Sequence, residues 1–381
     1  MLYIEPESIV SPPGLLKDSA VLVDGDRIVG VGPSSELPCP ASALRLEAGG
    51  LLLAPGFIDL QINGAFGSDF TADPHTIWDV ASLLPRYGVT SFLPTIISSP
   101  REVTTCAQKV LTQGLPAGFK GAIPLGLHLE GPFLNPEKRG AHDAANLTSP
   151  DPSIAASWAP AGNVRMVTLA PELPEAIDLV RTLAGRGVIV SAGHSMATYE
   201  QGAAAIEAGI TYGTHLFNAM PPLDHREPGL AGALLADPAV TVGLIVDGIH
   251  LHPEIVALIW KLKGPNRVSL VTDAMAALSM PPGTYRLGER DVNVQGAEAR
   301  LPDGRLAGSV LSLDEAVRNL VKFTGCTLLD ALSTVTTVPA SLLGMESSRG
   351  RIAPGCIADL VLLDSNLRVV QTVIAGSPYE L

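Results

Sequence analysis

The chain has 381 residues, more than one ordinary domain, and its 46% hydrophobic against 17% charged residues can bury a sizeable core and exclude a disordered chain. A formal charge of −13 and the lack of a basic stripe argue against a nucleic-acid or anionic-membrane partner, so an anionic substrate would need cations supplied by its own site. Cys39, Cys106, Cys326 and Cys356 are scattered without a CxxC pair, the N-terminus MLYIEPES lacks a basic region, and no run of about 18 apolar residues occurs; a cytoplasmic protein with reduced thiols is expected.

Residues 1 to about 50 read as short strands separated by turns, with SAVLVDGDRIVGVGP alternating around Asp24-Gly25 as a hairpin does. From Ala54 the pattern changes to β-runs followed by helix-like segments. The expected strand ends are Asn63 after FIDLQI, Thr95 after VTSFLP, Glu130, Ala170 after VRMVTL, His194, His215, Asp247 after TVGLIV, and Asp273 after RVSLVT. Between them lie amphipathic stretches such as PHTIWDVASLLPRYG and PEAIDLVRTLAGRG, each closing on a glycine where a helix C-cap belongs. Eight such units predict the α/β class and a (β/α)8 TIM barrel, whose catalytic residues sit at the C-terminal strand ends. Beyond Asp273, TYRLGERDVNVQGAEARLPDGRLAG reads as a small inserted hairpin, before helices in SLDEAVRNLVKFTG and TLLDALSTVTTVPASLLG. The last segment, RGRIAPGCIADLVLLDSNLRVVQTVIAG, is β again and matches the N-terminal strands in texture. The simplest division is a small β domain from residues 1–53 and 345–381, with the barrel in 54–344.

The stretch from Gly187 to Met220 concentrates the chemistry. His194 follows VIVSAG and His215 follows ITYGT, so two imidazoles leave the ends of neighbouring strands, and Glu130 in AIPLGLHLEGP holds the matching place upstream. Two histidines and a glutamate leave one tetrahedral position open, as a catalytic zinc site requires. Asp273, in T-D-A at a strand end, also suits a helix N-cap.

The motifs LAPGFIDLQING, LGLHLEGPFLN, SAGHS, THLFNAM, HREPGLAG, VDGIH, LVTDAMAA, LAGSVLSLDEAVRN and RGRIAPGCIADLVLLD follow one another along nearly the whole chain. In that order they resemble the N-acetylglucosamine-6-phosphate deacetylase family of the amidohydrolase superfamily. The resemblance implies a barrel with a small β-sandwich domain, a bound divalent metal, and hydrolysis of N-acetyl-D-glucosamine 6-phosphate to D-glucosamine 6-phosphate and acetate in amino-sugar catabolism. It also implies a homodimer in which the neighbouring subunit completes the site. Residue by residue it makes Glu130, His194 and His215 the metal ligands and Asp273 the catalytic carboxylate, taking a proton and returning it to the departing amine. His142, Asn218, Ala219, Arg226 and His250 match positions that hold the sugar hydroxyls and the phosphate. Arg226 is the natural phosphate clamp, because a guanidinium donates two parallel bonds to an oxyanion. Leu306 and Ser309 match the neighbourhood of the acetyl pocket.

One departure from the wider superfamily stands in the first barrel strand, where many amidohydrolases have HxH and this chain has Gln61-Ile62-Asn63. Neutral amides are poor zinc ligands, so one divalent ion per chain is expected, zinc first, with Fe2+, Mn2+ and Co2+ also compatible. His128, two residues before Glu130, reads as a packed core histidine. A cyclic-amide hydrolase would share the barrel but usually carries HxH and often a bridging lysine, neither of which appears at a strand end here. A non-catalytic scaffold of the same fold, and acceptance of N-acetylgalactosamine 6-phosphate, stay open at this level.

Overall fold

The computed structural model describes residues 1–11 and 14–380. Eight strands, Phe57–Ile62, Val89–Ile97, Leu127–Glu130, Val164–Leu169, Ile189–Ala192, Ile210–Gly213, Thr241–Leu244 and Val268–Leu270, pair in that order and all in parallel. A parallel bridge between Ile62 and Ala274, with the Asp273 N–H donating to Gln61 O at 2.8 Å, brings the eighth strand back to the first. Each strand is buried almost throughout, its apolar positions interspersed with buried polar side chains such as Asp59, Thr95, His128 and Thr168. The eight expected strand ends are the eight observed ones to within a few residues.

Most of the surrounding helices bury one stripe, whereas Gly229–Ala236 is buried on nearly all sides. In Ala176–Ala184 the buried positions are Ala176, Leu179, Val180 and Leu183, spaced to face the barrel, and the helix stops at Gly185. Thr198 and Gln201 form a reciprocal capping box that starts Tyr199–Ala208 directly after the His194 loop. The stretch PHTIWDVASLLPRYG departs from a single helix: α-helix runs only over Ile77–Leu83 and gives way to a 3-10 turn, Leu84–Tyr87. Pro85 has no N–H to continue the ladder, and Gly88 closes the turn in the left-handed region.

The barrel interior is a packed core that includes polar side chains. His128 is fully buried there, its Nε2 2.7 Å from Thr168 Oγ1, which in turn lies 2.7 Å from Thr214 Oγ1. Burial pushes its pKa down to about 4, so it is a neutral core histidine, as read from the sequence.

The chain's two ends meet in one β-sandwich. Its first sheet orders Arg27–Pro33, Ser19–Asp24, Leu2–Ile4 and Leu44–Leu46; the second contains Leu360–Leu363 and Val369–Ile374 beside Leu52–Pro55 and Ser8–Ser11. Ile4, Ile9, Val21, Ile28, Leu53, Leu360 and Leu362 form the core between them. The chain passes from sheet to barrel at Gly56, where a Cβ would lie 2.2 Å from Thr90 Oγ1. After the eighth strand the insertion forms three antiparallel strands, Gly283–Leu287, Arg290–Gln295 and Glu298–Arg300, one more than a hairpin. Its Leu287 packs with Ile97, Ala141 and Ala307 beside the barrel mouth. No described helix is long and apolar enough to cross a membrane.

Candidate metal centre

Three side chains meet at the C-terminal ends of the third, fifth and sixth strands. His194 Nε2 and His215 Nε2 lie 3.1 and 3.0 Å from Glu130 Oε1 and 3.0 Å from each other, all buried. Immediately past their strands, His194, His215 and Asp273 take φ of 51°, 29° and 48°. Such left-handed backbone costs residues with a Cβ on the order of 1–3 kcal/mol each and persists only where neighbours hold it. Here the Asn135 N–H donates to His194 O at 2.9 Å and the Ser309 N–H to Asp273 O at 2.8 Å.

The triangle fits a divalent ion. A tetrahedral ion about 2.0–2.1 Å from each donor would set neighbouring donors roughly 3.3 Å apart, close to the spacing present. The tautomer of His194 also fits, because its Nδ1 lies 2.8 Å from the Lys138 carbonyl and must donate to it, leaving a lone pair on Nε2. Burial opposes charge on His215, but Glu130 and Asp273 outweigh it and raise its pKa above the ordinary imidazole value. Burial pushes the Glu130 carboxyl up, yet the surrounding imidazoles of His142, His194 and His215 hold it well below the usual carboxylate range, in the anionic form a ligand needs. Glu130, His194 and His215 are the one such cluster among the described residues.

Gln61 and Asn63 occupy the place of the superfamily's HxH pair without offering imidazoles. Gln61 Nε2 donates to Glu130 Oε1 and Asp273 Oδ1, both at 3.1 Å, and Asn63 Nδ2 donates to Asp273 Oδ1 at 2.7 Å. The Gln61 amide NH2 thus bridges the two carboxylates. Burial first, and the negative charge of Glu130 second, raise the Asp273 pKa to about 6 against the pull of His215 and the Asn63 bond.

Beside this cluster opens a cavity of about 310 Å³ whose wall includes His142, Asn218, Ala219, His250, Asp273 and Leu306. His142 Nδ1 accepts from the Ser98 N–H at 3.2 Å, so its Nε2 carries the hydrogen, 3.6 Å from Glu130 Oε2. His250 Nδ1 donates to Asp247 Oδ2 at 2.6 Å, and Asp247 Oδ1 accepts from the Ile249 and His250 N–H groups; Asp247 is therefore the residue that orients His250. Two of the expected site residues are not in this wall. Ser309 lies behind Asp273, its hydroxyl donating to Thr272 O at 2.6 Å and accepting from Leu311 N, so it braces the eighth strand end and stands outside the cavity wall. Arg226 is exposed in the 222–228 loop, where its N–H donates to Asp224 Oδ1. Conversely, Lys138 and Arg305, which sequence reasoning passed over, are the cations of the cavity wall. Their only signal was adjacency to motifs, Lys138 following GPFLNPE and Arg305 preceding LAGS.

A parallel barrel with Glu, two His and a braced Asp at its strand ends is the architecture of a metal-dependent hydrolase. Residues 52–378 match the Amidohydrolase family. The human N-acetylglucosamine-6-phosphate deacetylase is 43% identical over 349 residues, covering 87% of this chain and 84% of that protein. The Bacillus subtilis enzyme of the same name is 34% identical over 385 residues, 99% of this chain and 96% of its own. The Pasteurella multocida deacetylase structure superposes with a TM-score of 0.92 at 32% identity, covering 99% of both chains. A Mycobacterium smegmatis deacetylase variant in complex with N-acetyl-D-glucosamine 6-phosphate gives a TM-score of 0.90 at 36% identity, over 100% of this chain and 99% of that one. The chain belongs to the amidohydrolase family and, within it, to the N-acetylglucosamine-6-phosphate deacetylases.

Proposed function

We propose that this chain hydrolyses the acetamide of N-acetyl-D-glucosamine 6-phosphate to D-glucosamine 6-phosphate and acetate, with one divalent ion held by Glu130, His194 and His215. The observation that carries the reading is the convergence of those three donor atoms to within 3.1 Å beside a cavity that Asp273 also lines. Zinc suits this nitrogen and oxygen set, and Fe2+, Mn2+ or Co2+ would also be accepted. When bound, such an ion supplies Lewis acidity, which acidifies a water and polarises an amide carbonyl.

The chain's own groups do the remaining work. Asp273 Oδ1 is taken by the Gln61 and Asn63 N–H donors, which leaves Oδ2 to accept the proton of the attacking water and pass it to the leaving nitrogen. His142, hydrogenated at Nε2 by the tautomer argument, is a donor available to the acetyl oxygen. Asn218, the Ala219 backbone and His250 face the sugar hydroxyls and phosphate. The active unit is a homodimer in which Arg226, exposed and outside its own cavity wall, clamps the phosphate bound by the neighbouring subunit. An unpartnered apolar row on helix Pro253–Lys263, Ile255, Leu258 and Leu262, supports association. Four free cysteines accord with a cytoplasmic setting.

The test is direct: protein stripped of metal and reconstituted separately with each of the four ions is given N-acetylglucosamine 6-phosphate and its galacto epimer, and acetate and primary amine are measured together. Equimolar release with at least one ion is expected. No release from either sugar with any of the four ions would overturn the reading.

A further inference from the structure

We infer that Arg305 is a positioning residue for His194, acting through the loop 135–142; the inference rests on the reading of Glu130, His194 and His215 as the metal-holding set. Arg305 sits where the inserted sheet closes, next to the bridge between Arg300 and Leu306. Asp303 braces its guanidinium, Oδ2 accepting from Nε at 3.0 Å and Nη2 at 2.5 Å, and this leaves Nη1 to donate to Gly140 O at 2.6 Å. Gly140 in turn lies against the His194 ring. It has φ of 55°, and a Cβ there would sit 3.2 Å from His194 Cε1. Two residues earlier, the Lys138 carbonyl accepts the Nδ1–H of the same ring, and the Asn135 N–H donates to the His194 carbonyl.

The loop therefore grips His194 at its ring nitrogen, beside its Cε1 and at its backbone. Lys138 Nζ ties the loop to Met220 O at 3.0 Å on one side, and Arg305 ties it to the insertion on the other. Pro136 and Glu137 are exposed, so this segment depends on such ties to hold one shape. A metal-binding imidazole is aimed by the acceptor on its other nitrogen, and here that acceptor is a backbone carbonyl whose position the Arg305 clasp sets. Three of the five guanidinium N–H groups are engaged inside the chain, and the one on Gly140 O is the contact by which Arg305 reaches His194.

Chelator competition on wild type, Arg305→Ala and Arg305→Lys, run well below the melting temperature of each, gives the apparent metal dissociation constant; Co2+ absorption reports the geometry at the ion, and kcat and KM are measured alongside. Arg305→Ala is expected to weaken metal binding about tenfold, the low end for partners outside the ligand set. It should shift the Co2+ band and lower kcat more than it raises KM, while Arg305→Lys, which keeps one donor for Gly140 O, recovers part of the affinity. Should Arg305→Ala fail to fold, Asp303→Ala, which removes only the brace, is expected to weaken the metal by a smaller factor. Wild-type affinity and an unshifted Co2+ band in whichever of these two variants is folded would overturn the inference, whatever the melting temperature. A rise in KM for the phosphorylated sugar alone would make Arg305 a substrate ligand and overturn it too. Wild type that holds no metal would sink the underlying reading, whereas tight wild-type binding beside an unaffected variant sinks this inference alone.

Discussion

Replacing Asp273 by asparagine should separate what this carboxylate does for catalysis from what it costs the fold. Its Oδ1 accepts from Gln61 and Asn63, bonds that an asparagine oxygen can keep. The base is lost while size and hydrogen bonding are preserved. A positioned acid–base group contributes about 10²–10⁴-fold, so kcat should fall by roughly that factor with metal content unchanged. Stability should move the other way. The folded pKa is raised from 3.8 to about 6, chiefly by burial, so the ionised carboxylate opposes folding. The sign follows from proton binding: below 3.8 both states are protonated and the cost vanishes, and it grows as pH rises through the folded value. At pH 7.5 the cost is about 3 kcal/mol and at pH 5 roughly half that. Metal-free Asp273→Asn should therefore resist urea more than metal-free wild type, by up to about 3 kcal/mol at pH 7.5 and by roughly half that at pH 5. Acetate-release kinetics, elemental analysis and paired urea titrations at the two pH values measure all three quantities. A variant that keeps most of the wild-type kcat would refute the proton-transfer role; no helix starts directly after Asp273, so the N-cap alternative of the sequence does not apply. A metal-free variant less stable than wild type at pH 7.5 would refute the electrostatic argument.

Because Gln61 and Asn63 supply amides where a second ion needs imidazoles, elemental analysis of the fully active protein should find about one tightly held ion per chain; two would contradict the reading. Arg226→Ala should raise KM for the phosphorylated sugar on the order of tenfold to a hundredfold, the loss of charge-assisted bonds of roughly 1.5–3 kcal/mol, and touch the non-phosphorylated sugar far less. Equal losses for both sugars would assign Arg226 to structure. Asp247→Ala should release His250 from its 2.6 Å bond and raise KM several-fold with metal content unchanged; an unaltered KM would remove His250 from the substrate contacts.

The barrel could be read from the chain because its strands are buried on both faces. FIDLQI, VRMVTL and RVSLVT are runs rich in apolar and β-branched residues, and Asn63 and Asp273, which follow the first and the last, mark where the chain leaves the core. Glu130, His194, His215 and Asp273 stand at such ends, so local pattern alone put them on one rim. The meeting of the two termini in one sandwich was legible for a related reason, since neither set of strands can bury its apolar face alone. Loops carry no period, and there the pattern ran out. Nothing in DGRLAGS announces that Arg305 reaches Gly140, 165 residues earlier in the chain, or that the Lys138 carbonyl selects the tautomer of His194. Ser309 and Arg226 show the same limit from the other side: both lie in motifs that fit the site, yet one hydroxyl turns inward to the Thr272 carbonyl and the other side chain lies exposed on the surface. Sequence spacing sets which face of a strand a residue occupies, whereas the direction a loop side chain takes depends on which distant donors and acceptors closure of the barrel brings within about 3 Å, and only the tertiary structure decides that.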